Sequence, residues 1–132
     1  MADTTIVNTT WTDHDITDVH LHVGTAMDAA NTMVITPTGP LEEMVILIRN
    51  TEADANVVTV KAGVGPSACI GDLVCTELEA TIGVGLLPPL ESARFLQADG
   101  TLHITVEAGM TGCIAALQKP AVNAGSILVA GT

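Results

Sequence analysis

His20 and His22 stand two apart in the run Val19-His20-Leu21-His22-Val23, and in a strand that spacing sends both imidazoles from one face. Asp18 shares that face, and His14 and Asp13 lie close by, so this region holds the candidate metal ligands His14, His20 and His22. Neutral imidazole and carboxylate are ordinary ligands for transition metals. A closed site needs three or four of them in a geometry that spacing does not supply. Two polar residues on the wet face of an amphipathic strand is the simpler reading, and no cofactor is expected. Carboxylates also come in close pairs: Asp13/Asp15, Glu42/Glu43 and Glu77/Glu79. Glu77 and Glu79 share a strand face, as an acid–base pair or a calcium site would require. A solvated acidic face accounts for them with fewer assumptions.

Nucleophiles are equally sparse. Ser67, Ser92 and Ser126 all lie outside any G-x-S-x-G elbow. Gly63-Val64-Gly65 and Gly83-Val84-Gly85 lack the further glycine and the lysine of a phosphate cradle, and read as turn punctuation. Cys69, Cys75 and Cys113 have no zinc-finger spacing. Cys69 and Cys75 are close enough to close a small loop in an oxidising setting, but small buried thiols are the preferred reading. With no nucleophile and base that can be assembled, an enzyme is not expected.

The elements that would position these residues are short and β-rich. The chain has 132 residues, enough for one domain, and eighteen of them are threonine. Valine and isoleucine supply much of the apolar mass, and β-branched residues at this density favour sheet. Hydrophobic residues make up 48% of the chain, which argues against disorder despite a net charge of −11. Fifteen carboxylates face only four lysines and arginines, so phosphate backbones and anionic lipid surfaces are not expected partners. Residues 1–10 have neither a basic region nor an apolar core, so no secretory leader is expected, and no apolar run reaches the length of a membrane span.

Strand signals recur between turns. Thr32 to Thr36 is a β-branched run stopped by Pro37. Met44-Val45-Ile46-Leu47-Ile48 is apolar on both faces, as a central strand covered on both sides would be. After a polar loop, 50–56, the run Val57 to Lys61 returns, which predicts a hairpin with the preceding strand. From Thr76 to Val84 the residues Leu78, Ala80, Ile82 and Val84 share a predicted inner face. Asp99-Gly100 marks a tight turn. Beyond it Leu102, Ile104, Val106 and Ala108 alternate with His103, Thr105 and Glu107, and Cys113 to Leu117 adds another strand. Only single helical turns are expected, at 28–31 and 41–44. The pattern predicts an all-β, single-domain antiparallel β-sandwich or jelly roll. Its expected parts are an N-terminal arm over 1–17, a core over 18–118 and a C-terminal tail over 119–132. The tail carries Ile127-Leu128-Val129 on a tether of small residues, able to fold back as a last strand or to complete a neighbour's sheet.

One ordered set of short motifs resembles a known family. Asn50 to Gly63 reads N-T-E-A-D-A-N-V-V-T-V-K-A-G; Gly71-Asp72-Leu73 follows, then Pro89-Leu90-Glu91-Ser92-Ala93-Arg94-Phe95. This order, spanning about residues 44–118, resembles small structural proteins from the head-gene clusters of tailed phages and related viruses. These are head decoration or cement-like β-sandwich proteins. The resemblance implies a non-enzymatic subunit on the virion surface, assembled in the host cytoplasm. It would contact itself, as a trimer or similar closed oligomer, and a major capsid or other virion protein. Arg94 and Phe95 belong to the most distinctive block, and the assembly contacts expected are Ile6, Val7, Arg94, Phe95, Ile127, Leu128 and Val129. The alternatives are a filament, sheath or tail subunit that exchanges terminal strands, and a metal- or ligand-binding β module around the histidines.

Overall fold

The computed structural model describes residues 3–11, 24–75, 78 and 83–119. Ten strands form within them: β1 (Asp3–Ile6), β2 (Asn8–Thr10), β3 (Thr25–Ala26), β4 (Thr32–Ile35), β5 (Met44–Asn50), β6 (Val58–Val60), β7 (Leu73–Val74), β8 (Gly83–Leu86), β9 (Leu102–Val106) and β10 (Gly112–Gln118). A single helical turn, α1 (Ser92–Phe95), and two 3-10 turns, Leu41–Glu43 and Ala68–Ile70, complete the elements. The protein is all-β, as its β-branched composition predicts.

The strands lie in two sheets. The first runs β1-β4-β9-β6-β7, and the second runs β2-β10-β5-β8 with β3 also on β10. Their inner faces share one core, in which Met33, Ile35, Val60, Leu102 and Ile104 of the first sheet and Ile114 of the second are fully buried. Alternation is clearest in β9, where Leu102, Ile104 and Val106 point inward as expected. Fully burying one such aliphatic side chain stabilises the fold by about 1.5–3 kcal/mol.

Four expectations are corrected. The sheets are mixed instead of purely antiparallel, because β1 pairs parallel with β4 and β2 pairs parallel with β10. Only Val7 separates β1 from β2, so the chain cannot reverse there; it steps from one sheet to the other while keeping its direction. Residues 3–10, assigned above to an arm, are therefore strands of both sheets. Third, β5 and β6 do not form a hairpin. β5 lies between β10 and β8, whereas β6 lies between β9 and β7 in the other sheet.

The intervening loop is closed by its own side chains. Asn50 Nδ2 donates to the Asp54 carbonyl (3.1 Å), its Oδ1 accepts from the Glu52 amide (3.0 Å), and Asn56 Nδ2 donates to Glu52 Oε2 (2.9 Å). A loop satisfied in this way can cross between sheets without a ladder beside it. Fourth, Val84 is 57% exposed where an inward position was expected; Gly83 and Gly85 take the inner positions of β8. Residues 76, 77 and 79–82 of that expected strand lie outside the described residues, as does the run 19–23.

Two connections depend on glycine for different reasons. Gly100 adopts φ +81° in the turn before β9, and its amide donates to Gln97 O at 2.9 Å. Gly63 has a different reason to be glycine. Its amide donates to Arg94 O at 2.8 Å, and a Cβ there would strike the Leu96 carbonyl that follows α1. Gly63→Ala is therefore expected to destabilise the protein by about 1–3 kcal/mol, read as a lower midpoint in urea with an unchanged slope.

Candidate functional site

The second sheet offers one surface whose chemistry differs from the rest of this acidic chain. In β5 the inward residues Met44, Ile46, Ile48 and Asn50 are buried, while Val45 and Leu47 are half-buried and Arg49 is exposed. Register extends that outer face sideways. Leu47 lies opposite Ala115 on β10 and opposite Leu86 on β8; Arg49 lies opposite Cys113 and Val84; Val45 lies opposite Leu117. Val84 and Leu86 are 57% and 64% exposed, and Val7, at the far side of the sheet, is 65% exposed. Cys113 and Ala115 are small and nearly buried in the same face. A shallow depression of about 140 Å³ opens beside them where neither β2 nor β3 pairs with Ala115, lined by Val7, Thr9, Gly24 and Thr25 among others.

The first sheet presents a more polar face. Thr59 faces Thr105 across β6 and β9, Val34 faces His103 across β4 and β9, and Thr5 faces Val34 across β1 and β4. Hydroxyls and an imidazole share that outer face with Val34 and with Val74, which lies opposite Thr59 and is 64% exposed. His103 Nε2 lies 3.1 Å from Thr101 Oγ1. The outer face of the first sheet is thus mixed, and that of the second, Arg49 apart, is the more continuously apolar of the two.

The expected contact residues are distributed unevenly. Val7 lies on the apolar face. Ile6 and Phe95 are each 2% exposed and belong to the core, so in the folded chain neither offers surface to a neighbour. They are buried because Ile6 closes β1 on its inward phase and Phe95 turns inward from α1. Arg94 is a brace: its Nε donates to Gly71 O at 3.0 Å and its Nη2 to Asp72 O at 3.2 Å, while the guanidinium carbon sits 4.7 Å from the Phe95 ring centroid. Ile127, Leu128 and Val129, the candidate ligands His14, His20 and His22, and the pair Glu77/Glu79 lie outside the described residues. Among the described residues no three His, Cys, Asp or Glu side chains group as metal ligands, and no helix is long and apolar enough to cross a membrane.

Spacing alone does not mark Val45, Leu47, Val84, Leu86 and Leu117 as one surface. Val45 and Leu47 belong to the run Met44 to Ile48, whose apolar residues on both faces predict cover on both, whereas the fold leaves their face half-buried.

Carboxylates with shifted acidity are engaged in turns. Asp72 Oδ1 accepts from the Ala62 amide at 2.6 Å and its Oδ2 accepts from Lys61 Nζ at 2.7 Å; the amide bond first, then Lys61, holds its pKa below the ordinary value. Glu42 is lowered by Ser92, whose hydroxyl donates to Oε1 (2.7 Å) and whose amide donates to Oε2 (3.0 Å). Asp99 is lowered by the Thr101 hydroxyl, 2.6 Å away. Burial raises the thiols of Cys75 and Cys113, and all three described cysteines are free. No family model matches the chain, and no curated protein or solved structure matches it either.

Because the folded pKa of Asp72 is depressed, its contribution is fully present above the unfolded value of about 3.9 and is lost as pH falls through the lower folded value. The stability difference between the wild-type chain and Asp72→Asn should be constant above that pH and should shrink below it. Urea titrations at a series of acidic pH values measure this directly.

Proposed function

We propose that this chain is a non-enzymatic viral structural subunit that lies against a capsid or other virion protein and reinforces or decorates its surface. The observation that carries the reading is the contrast between the outer faces of the two sheets. A chain of net charge −11 has one sheet face built from Val45, Leu47, Val84, Leu86 and Leu117 and another rich in threonine. A subunit seated on a larger assembly needs such a pair of faces, the more apolar one toward the assembly and the threonine-rich one toward solvent. The motif order from Asn50 to Phe95, which resembles head decoration proteins, supports the same reading. Carboxylates tied into turns at Glu42, Asp72 and Asp99 suit a scaffold better than proton transfer. Individual contacts of this size are weak and gain strength by repetition over identical sites. The subunit would self-associate into a small closed oligomer and act at the virion surface, after assembly in the host cytoplasm.

The test is co-sedimentation of the purified protein with empty shells of the virus that encodes it. Wild-type protein should pellet with the shells. Leu47→Glu, which places a charge in the middle of the half-exposed apolar face, should stay in the supernatant while keeping its circular dichroism spectrum. Wild-type protein that remains in the supernatant, or a Leu47→Glu variant that pellets equally, would refute the proposal. Light scattering of the free protein over a concentration series adds the second discriminant. Growth without a limit would replace the closed subunit by the filament or sheath reading.

A further inference from the structure

Asp99-Gly100 is the only Asp-Gly pair in the chain, and no Asn-Gly pair occurs. Such a pair is chemically labile, because the amide nitrogen after the aspartate has no side chain beside it. That nitrogen gives up its proton to solvent and attacks Cγ of the neutral carboxyl. An N–Cγ bond forms and a carboxyl oxygen leaves as water, closing a succinimide ring, which then takes up water again. If the bond to Cγ breaks, aspartate returns. If the bond to the main-chain carbonyl carbon breaks, the backbone runs through Cγ as isoaspartate, one methylene longer. The surroundings leave room for this chemistry. Residues 98–100 are exposed, and among the described residues nothing beyond the adjoining ones comes within 4 Å of where a Gly100 Cβ would stand. The added methylene would lengthen the turn into β9, which lies between β4 and β6 in the middle of the first sheet.

We propose that Asp99-Gly100 is a latent site of spontaneous backbone isomerisation and that the Thr101 hydroxyl is the group that holds the reaction off. The inference goes beyond the structural role proposed above and does not depend on it. Thr101 is a positioning residue, acting through the carboxyl that would react. Asp99 Oδ1 accepts from the Thr101 hydroxyl at 2.6 Å and from the Thr101 amide at 3.2 Å. Both bonds favour the ionised carboxylate over the neutral form that can lose water, and they hold the Asp99 pKa below its ordinary value, the hydroxyl first. With its one proton given to Asp99, the hydroxyl oxygen accepts from His103 Nε2, 3.1 Å away, a network that assigns the imidazole proton to Nε2. The start of β9 thereby fixes the hydroxyl. The attacking group is engaged as well, since the Gly100 amide donates to Gln97 O at 2.9 Å. The Gln97 amide donates to Thr101 O at 2.8 Å, and Leu96 pairs with Leu102 immediately outside the turn. Bringing Asp99 Cγ onto the Gly100 nitrogen therefore requires the Thr101 bonds to break first.

The test keeps full-length protein at neutral pH and physiological temperature for several weeks. Isoaspartate at Asp99 is followed by electron-transfer mass spectrometry of its peptides. A synthetic peptide of residues 95–105 gives the rate without the fold. Wild-type protein should accumulate isoaspartate many-fold more slowly than the peptide. Thr101→Val and Thr101→Ala, which keep the amide bond and remove the hydroxyl, should each raise the rate several-fold. Thr101→Ser restores the hydroxyl and should return the rate to near that of the wild type. Ile46→Val, a core change in the other sheet, should leave the rate unchanged. Wild-type protein that isomerises as fast as the peptide overturns the inference, as does a wild-type rate in Thr101→Val and Thr101→Ala. Equal acceleration in Thr101→Ser or Ile46→Val also overturns it, because the rate would then follow a general loosening of the fold and not the hydroxyl.

Discussion

Seven consecutive residue pairs between β5 and β10, from Asn50 opposite Gly112 to Met44 opposite Gln118, are the ladder from which the second sheet hangs. β8 attaches to one side of it, and β2 and β3 to the other. Because side chains alternate across a strand, the register that sends Ile46, Ile48, Ile114 and Ala116 into the core also sends Val45, Leu47, Ala115 and Leu117 to the outer face. A slip of one residue would exchange the two sets. The core and the apolar outer face are thus two consequences of one register. Gln118, fully buried at the end of the ladder, helps to hold it: its Nε2 donates to Pro40 O at 3.0 Å, and its Oε1 accepts from the Thr38 amide at 3.3 Å. A shifted strand would strand those buried polar atoms without partners.

The sheets are joined by short connections as well as by their shared core. At Val7 the chain passes from β1 to β2 and so from one sheet to the other in a single residue. The loop 50–56 crosses back between β5 and β6, closed by Asn50 and Asn56. Around α1, Glu42 receives Ser92, Gly63 lies against the Leu96 carbonyl, and Arg94 reaches Gly71 and Asp72. Asp72 in turn receives Lys61 and the Ala62 amide. The Lys61–Asp72 ion pair, the Glu42 carboxylate and the Arg94 guanidinium therefore serve as struts for the loops around α1. That use of charge is consistent with a scaffold whose working surfaces are apolar.

The apolar outer face and the gap left in the core between β7 and β8 have different origins. The outer face of the second sheet is apolar because β5 and β10 are apolar on both phases of their alternation. The pocket at the β7–β8 edge exists because β8 places glycine where the opposite sheet offers Val58 and Leu73. Filling the inner positions of β8 would stabilise the chain by adding buried apolar area. In the role proposed above, the apolar outer face meets the shell.

Local chemistry made part of this readable in advance. The alternation in Leu102 to Val106 marks β9 and its inward phase, the β-branched run at Thr32 to Ile35 marks β4, and Asp99-Gly100 marks the turn that leads into β9. Among the described residues, Val7 is the expected contact residue that the fold leaves on the apolar face. Pairing was not readable, because hydrogen bonds between strands join backbones and carry no mark of which side chains lie opposite. So the separation of β5 and β6, neighbours in the chain, into different sheets leaves no mark in the residues themselves. The amino-acid sequence by itself determined the class of structure, the charge and the phase of its clearest strand. Only the tertiary structure decided which of two apolar faces is covered, since hydrophobicity is a property of a residue and burial is a property of its neighbours.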